Sequence, residues 1–330
     1  MSDLAPLAAE ECALATSCGV VDLSTRTKIA VRGDDRVSFL HNFCTNDIRG
    51  LAVGSGAEAF LLDAKGHIRF HVLIACRPDC LLLDASPGVG EALVRHLDRY
   101  IIREKVTLAD QTTELAELLV AGNHAPSVIQ QVLSTTAPEQ PLDSVGLPEF
   151  GEPAFVQRSV QTAAPNFAVV VPRANLETLQ QRLIAAGAVA CGFAVWNVAR
   201  IEAGFPRAEL DIGEKTLAQE VNRNDRTLNF RKGCYLGQET VARLDALGHV
   251  NRVLVGIRQA TELPPTPEIA ASSSELTVAD SVVGRITSQA YSAARRAVVG
   301  LAYVATAHSR AGSQLQSATG PFEVVDLPMT

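Results

Sequence analysis

Short apolar runs broken by glycine, proline and aspartate organise most of the chain. Residues 28–32 (KIAVR) alternate apolar and polar positions, which predicts a strand that Gly33 ends. Residues 34–40 then open a helix with carboxylates at its positive end. Residues 59–62 (AFLL) and 68–74 (IRFHVLI) flank DAKG, a hairpin signature, and 81–85 read as a further buried strand. Leu93, Leu97 and Tyr100 give 90–100 a helical spacing. A similar pattern follows over 115–195, with strands at 118–122 and 167–172, an amphipathic helix at 176–186 and an exposed connection at 135–153. Residues 193–203 (FAVWNVARIEA) predict a helix stopped by Gly204-Phe205-Pro206. An Ala-, Pro- and Ser-rich break at 259–274 precedes short strands at 275–278, 282–287 and 297–304, the pattern of a small barrel or sandwich. The fold class expected is therefore α+β, with α/β subdomains at 1–115 and 116–248 and an all-β unit at 249–330.

Composition narrows the function classes. The 330 residues are 47% hydrophobic and 20% charged, ordinary for a globular chain, and the net charge of −7 disfavours non-specific nucleic-acid binding. No apolar run approaches the ~18 residues of a membrane helix. The first 18 residues carry three acidic side chains and no arginine, unlike a signal peptide or presequence, so a cytoplasmic setting is expected. Seven cysteines, odd in number and scattered, fit reduced thiols better than a disulfide framework. Cys76 and Cys80 lack a second pair at zinc-ligand spacing, and no metal site is expected.

Familiar catalytic signatures are missing: no nucleotide-binding glycine loop, no zincin helix and no serine-hydrolase elbow. Two stretches stand out instead. Helix 193–203 carries the sole tryptophan, Trp196, and Glu202 near its C-terminal end, where a carboxylate opposes the helix dipole. Arg200 offsets that charge in one reading, and a ligand needing a negative partner is the other. At about 100° per residue Trp196 and Glu202 lie a third of a turn apart, able to border one pocket without sharing a face; a core tryptophan with a surface glutamate is the plainer alternative. The second stretch, 232–240 (KGCYLGQET), sets Cys234 between two glycines and beside Arg231 and Lys232. Neighbouring cations favour the reactive thiolate, whereas a glycine turn with an inert buried cysteine is the competing reading. A dyad of Cys234 with His249 is open as well. A cluster owned by this chain is not expected, because clustered cysteine spacing is absent.

Together these pieces resemble one family over nearly the whole chain. Residues 21–24 (VDLS), Phe39-Leu40 followed by Thr45-Asn46-Asp47, Arg200-Ile201-Glu202-Ala203-Gly204 and residues 283–288 (VGRITS) resemble the aminomethyltransferase fold of the glycine-cleavage T-protein. Residues 232–239 reproduce the Lys-Gly-Cys-Tyr-x-Gly-Gln-Glu motif of its YgfZ branch. The resemblance implies two GcvT-like subdomains and a C-terminal β-barrel. It implies a tetrahydrofolate-binding accessory protein for iron–sulfur cluster assembly or repair, which supports tRNA modification through client enzymes. Its partners would be iron–sulfur client enzymes and assembly proteins, with no direct nucleic acid and no membrane, and the chain is expected to be a monomer. Glu202 matches the carboxylate expected on the pterin, Trp196 an aromatic of the folate site, and Cys234 the functional thiol, a transient cluster ligand at most. Lys232, Gln238 and Glu239 accompany that thiol in the motif, and Tyr235 and Arg26 are assigned to the folate pocket.

Departures sharpen the branch. A true aminomethyltransferase carries an aspartate pair after the hairpin glycine, where residues 66–71 (GHIRFH) supply no carboxylate. Ala218-Gln219-Glu220 lacks the proline expected there, 222–226 is unusually polar, and Arg26 replaces an aromatic found in relatives. The second functional reading is a folate-dependent one-carbon transferase or demethylase acting on a small amine, which needs a carboxylate near the reactive folate nitrogen.

Overall fold

The computed structural model describes residues 4–259 and 275–329. The predicted break at 259–274 lies outside the described residues except for Gln259. Helix α1 (Leu4–Thr16) and strand β1 (Gly19–Asp22) open the chain. Helix α1 was not predicted, because its alanine-rich sequence has no apolar stripe of helical period. Strands β2 (Thr27–Arg32), β3 (Gly56–Leu62), β4 (Ile68–Cys76), β5 (Cys80–Ala85) and β6 (Thr107–Asp110) form one antiparallel sheet in the order β3-β4-β5-β2-β6. Helices α2 (Arg36–Phe43) and α3 (Gly90–Asp98) pack on it. Along β2 the alternation separates Ile29 and Val31, in the core with α2 and α3, from Ala30, which faces the neighbouring sheet.

That neighbour contains β7 (Leu115–Ala121), β8 (Ser144–Gly146), β9 (Phe155–Arg158), β10 (Asn166–Pro172) and β11 (Val189–Ala190), with helices α4 (Ala125–Leu133) and α5 (Leu176–Ala185) on its outer face. Its strand order is β11-β1-β7-β10-β9-β8. Strand β1 pairs with β7 and β11, so Gly19–Asp22, grouped with the N-terminal subdomain by sequence order, lies in the second sheet. The 135–153 connection is also more ordered than expected: β8 pairs with β9, and Leu142 and Leu147 are buried.

Helices α6 (Phe193–Ala203), α7 (Ala208–Asp211), α8 (Asn224–Thr227) and α9 (Gln238–Leu247) connect the sheets to the C-terminal unit. There β12 (Arg252–Gln259), β13 (Glu275–Val278), β14 (Ser281–Ser292), β15 (Ala297–Ala305), β16 (Gln314–Ser317) and β17 (Gly320–Val325) close into a six-stranded barrel. A central core joins Phe60, Leu62 and Ile68 of the β3–β4 hairpin to Ile201 of α6, Val241 of α9 and Val299 and Leu301 of the barrel. Among the described residues no helix is long and apolar enough to cross a membrane, and no group of three or more His, Cys, Asp or Glu side chains could hold a metal ion.

Candidate functional site

Helix α6 spans the predicted residues, and Gly204 ends it with a φ of 72°, the left-handed conformation glycine adopts readily. Arg200 is fully buried and all five of its N–H donors are used. They reach Asp211 at 2.6 Å, Asn197 Oδ1 at 3.0 and 2.9 Å, Ser288 Oγ at 2.7 Å and the Phe205 carbonyl at 3.4 Å. This corrects the expectation that Arg200 neutralises Glu202; it ties α6 to α7 and the barrel instead. Arg295, from the β14–β15 turn, is the cation on Glu202, with Nε 2.8 Å from Oε1.

Glu202 borders a hollow of about 70 Å³ with apolar walls from Leu14, Val195, Val198 and Ala199, and Glu11 of α1 enters the same hollow. Thr162, Ala163 and Ala164 form a wall shared with a cavity of about 580 Å³ between the second sheet, residues 221–226 and the barrel. Arg158, Arg223 and Arg226 line this larger cavity, against Asp225 and Asp326. Ser159 Oγ, on a residue 4% exposed, and Asn224 Oδ1 are buried on its wall without a hydrogen-bond partner among the described residues. Arg158 stacks over Phe167 at 4.9 Å, and burial lowers its pKa. The cavity therefore offers cationic and polar groups, and the hollow offers carboxylates over apolar walls. The pair suits a ligand with a flat donor-rich head and an anionic tail.

Trp196 and Glu202 do not share this site. Trp196 is buried in the core with Leu23 and Leu119, and its Nε1 has no partner among the described residues. It meets Arg26, Phe193 and Arg207 around a separate hollow of about 10 Å³, room for one water at most. Arg26 is committed as well. It grips Asp84 at 2.9 Å inside a buried group in which Lys28 pairs with Asp84 at 2.9 Å and Glu117 at 2.6 Å. The structure thus brings Arg26 and Trp196 together, but as part of the packing between the sheets.

The 232–240 stretch forms the approach to α9, away from both cavities. Lys232 is buried, and its ammonium donates to the carbonyls of His41 (2.6 Å), Cys44 (2.7 Å) and Asn46 (2.7 Å) at the end of α2. All three donors are taken by these carbonyls, so Lys232 makes no hydrogen bond to Cys234. Tyr235 packs in the central core under the Lys232 ammonium, 4.9 Å from its ring, and burial pushes its phenol up to about 12; it does not line the 580 Å³ cavity. Gly237 has a φ of 81°, and a Cβ there would lie 2.5 Å from the Asp63 carbonyl in the β3–β4 turn. Thr240 Oγ1 donates to the Lys65 carbonyl of the same turn at 2.8 Å. Gly237 and Thr240 therefore clamp this stretch onto the hairpin. Cys234 is exposed, Glu239 is exposed in the first turn of α9, and Gln238 is half-buried beside it.

Sequence reasoning missed Glu58 and Glu11. Glu58 stands in the apolar run 56–62, and a carboxylate on an otherwise buried strand was the available signal. It is 1% exposed and accepts from Arg223 Nε at 2.6 Å and Nη2 at 2.8 Å, with His71 Nε2 at 2.7 Å. The hairpin position without an aspartate thus has a carboxylate beside it, contributed by the neighbouring strand and already doubly paired. Glu11 had no signal, because α1 itself was not predicted.

The model of the GCVT N-terminal domain matches residues 3–227, and that of the glycine cleavage T-protein C-terminal barrel domain matches 252–329. The chain belongs to this glycine-cleavage T-protein family. A chloroplast protein of Arabidopsis thaliana named as a transferase is 27% identical over 82% of this chain and 61% of its own length, less than two thirds of that protein. The tRNA-modifying protein YgfZ of Colwellia psychrerythraea is 26% identical over 74% of this chain and 73% of its own, and the aminomethyltransferase of Synechococcus elongatus is 27% identical over 93% and 82%. The crystal structure of aminomethyltransferase T of the Bartonella henselae glycine cleavage system superposes with a TM-score of 0.82 at 19% identity, covering 98% of this chain and 89% of that one. Within the family, the chain is a YgfZ-type member.

Proposed function

We propose that this protein is a folate-binding accessory factor for iron–sulfur cluster assembly or repair, indirectly supporting tRNA modification, with tetrahydrofolate or a one-carbon folate as its ligand. The observation that carries the reading is the pair of adjacent cavities that share the Thr162–Ala164 wall: Glu202 over apolar walls in one, and Arg158 and Arg226 around the larger space of the other, where Arg223 is already held by Glu58. A pterin has a donor-rich edge that suits carboxylates, and the folate tail ends in carboxylates that suit arginines. The exposed Cys234 supplies a thiol for exchange with a client or for transient cluster ligation. Its separation from both cavities means that folate would act on it through the loop and hairpin rather than by contact.

The alternative, a folate-dependent aminomethyltransferase or demethylase of a small amine, draws support from the aminomethyltransferases among the relatives. It would require a free carboxylate by the reactive nitrogen. Glu58 is the nearest replacement for the missing hairpin aspartates, and its pairing with Arg223 and His71 weighs against that role. Calorimetric titration with tetrahydrofolate tests the first reading, and absence of binding refutes it. Formation of methylene-tetrahydrofolate from candidate methylamines would favour the second.

A further inference from the structure

Cys234 is held in place by residues that also hold one wall of the larger cavity. Lys232, two residues before it, bonds the carbonyls of His41, Cys44 and Asn46. Leu236, two residues after it, donates its backbone N–H to the Asn42 carbonyl at 3.0 Å. His41 and Asn42 lie in the last turn of α2, whose carbonyls the helix itself leaves unpaired. Asn229 starts the loop. Its N–H donates to the Thr45 carbonyl at 3.0 Å, and its Oδ1 accepts the N–H groups of Arg231 at 2.9 Å and Lys232 at 3.0 Å. Between residues 229 and 236 only Lys232 and Tyr235 are buried, and the stretch belongs to no helix or strand. Its hold on the protein is therefore mostly polar, and such a segment opens locally at lower cost than the sheets around it.

Asn46 joins this loop to the cavity. Its carbonyl takes Lys232, and its side-chain amide donates to the Glu58 carbonyl at 2.9 Å and the Arg226 carbonyl at 2.8 Å, so both Nδ2 hydrogens are used. Arg226 lines the cavity of about 580 Å³, and the Glu58 carboxylate grips Arg223 on the same wall. Thr45 holds the residues in between: its Oγ1 donates to the Thr227 carbonyl at 2.6 Å, and its carbonyl takes Asn229. The Arg226 guanidinium makes no ion pair among the described residues and is open to an anion in the cavity. An anion there makes α8 harder to displace, and Asn46 passes that restraint on to Lys232.

We infer that Asn46 is a positioning residue, through which a ligand in the larger cavity orders the loop that presents Cys234. The identity of the ligand, tetrahydrofolate with its anionic tail on Arg226, comes from the folate reading, on which the inference rests. The closed and locally open forms of the loop are the two states, and the ligand favours the closed one.

Amide hydrogen exchange read by mass spectrometry follows that opening directly. Wild type, Asn46→Ala and Asn46→Asp are compared with and without tetrahydrofolate, at a saturation set by calorimetry for each protein. Asn46→Asp keeps Oδ1 for the Asp47 N–H but has no donor for Glu58 and Arg226. In wild type the ligand should slow exchange at Lys232 and Leu236 about fivefold or more, the lower end of coupling between two sites. In both variants that effect should fall below about twofold, while Asn229, bonded to Thr45, keeps its own. A purely structural Asn46 would raise exchange with and without ligand alike and leave the ligand's effect unchanged, and that result overturns the inference. Equal slowing in β15 of the barrel, which would mean overall stabilisation, overturns it too, as does unchanged exchange in saturated wild type. In each of these cases the folate reading stands. Failure of wild type to bind tetrahydrofolate overturns both.

Discussion

His71 Nε2 lies 2.7 Å from Glu58 Oε1, and Arg223 closes on the same carboxylate from the cavity side with Nε at 2.6 Å. Burial disfavours the charge on Glu58, but Arg223 and then His71 overcome it and hold the carboxyl far below its ordinary value. Burial likewise lowers His71, keeping it neutral despite its carboxylate neighbour. In the unfolded chain the carboxyl takes its proton near about 4.3 and the imidazole near about 6.5. Both groups are therefore protonated first in the unfolded state as the pH falls, and both slopes have the same sign. Stability should decline below about pH 6.5 and more steeply below about 4.3. Thermal denaturation from about pH 7.5 to about pH 3 checks this, and a flat melting temperature would contradict it. Glu58→Gln should cost about 3–5 kcal/mol at pH 7, because it leaves the Arg223 guanidinium, with an 8% exposed side chain, without its counter-charge.

The two glycines of the cysteine loop should respond differently to the same change. Gly237→Ala forces a side chain into a positive φ and against the Asp63 carbonyl, and should destabilise by about 1–3 kcal/mol. Gly233 has open space around a built Cβ and an unrestrictive φ, so Gly233→Ala should shift stability by no more than about 0.5 kcal/mol. Urea denaturation of the pair decides it; equal losses would mean the loop is held differently.

Cys234 and Cys12 are the exposed thiols, and Cys18, Cys44, Cys76, Cys80 and Cys191 are buried. Burial pushes Cys18 and Cys44 up to about 11 and Cys191 up to about 12, so these are poor nucleophiles in the folded protein. Iodoacetamide at neutral pH should label Cys12 and Cys234 and leave the other five until the chain is denatured. Peptide mass spectrometry reads the result directly. Cys234→Ala should then retain tetrahydrofolate affinity within about twofold, as expected of a residue outside both cavities, while failing to complement loss of the protein in assays of cluster-dependent enzymes. Full complementation would remove the thiol from the mechanism.

Much of this was legible in the chain. The hairpin at 59–74, helix 193–203 with its glycine stop and the β-rich tail follow from local periodicity and turn chemistry, which act over neighbouring residues. What escaped is the aim of charged side chains toward elements far away in sequence. Lys232 reads as a neighbour of Cys234, yet its ammonium is held by carbonyls 186 to 191 residues earlier. Arg200 reads as the partner of Glu202 two residues on, yet it faces Asp211 and Ser288. Strand β1 precedes the first sheet and pairs in the second. Spacing along one helix or loop does not determine which of these distant partners a long cationic side chain meets.

The rotation of α6 also sets apart Trp196 and Glu202, which the sequence allowed in one pocket. Trp196 faces Leu23 and Arg26 on the sheet side, and Glu202 faces Glu11 and the β14–β15 turn. If the pterin sits at Glu202, removal of the indole should leave binding intact. Trp196→Phe should hold tetrahydrofolate affinity within about twofold while costing about 1–3 kcal/mol of stability, since it shrinks a side chain that is 2% exposed. Glu202→Gln should do the reverse: an affinity loss of roughly tenfold or more, with a smaller stability cost because Ser292 and Arg295 keep a carbonyl oxygen to bond. Calorimetric titration and thermal denaturation of both variants separate the two faces of the helix. An affinity loss in Trp196→Phe equal to that in Glu202→Gln would place the ligand against the indole and overturn the assignment of the hollow.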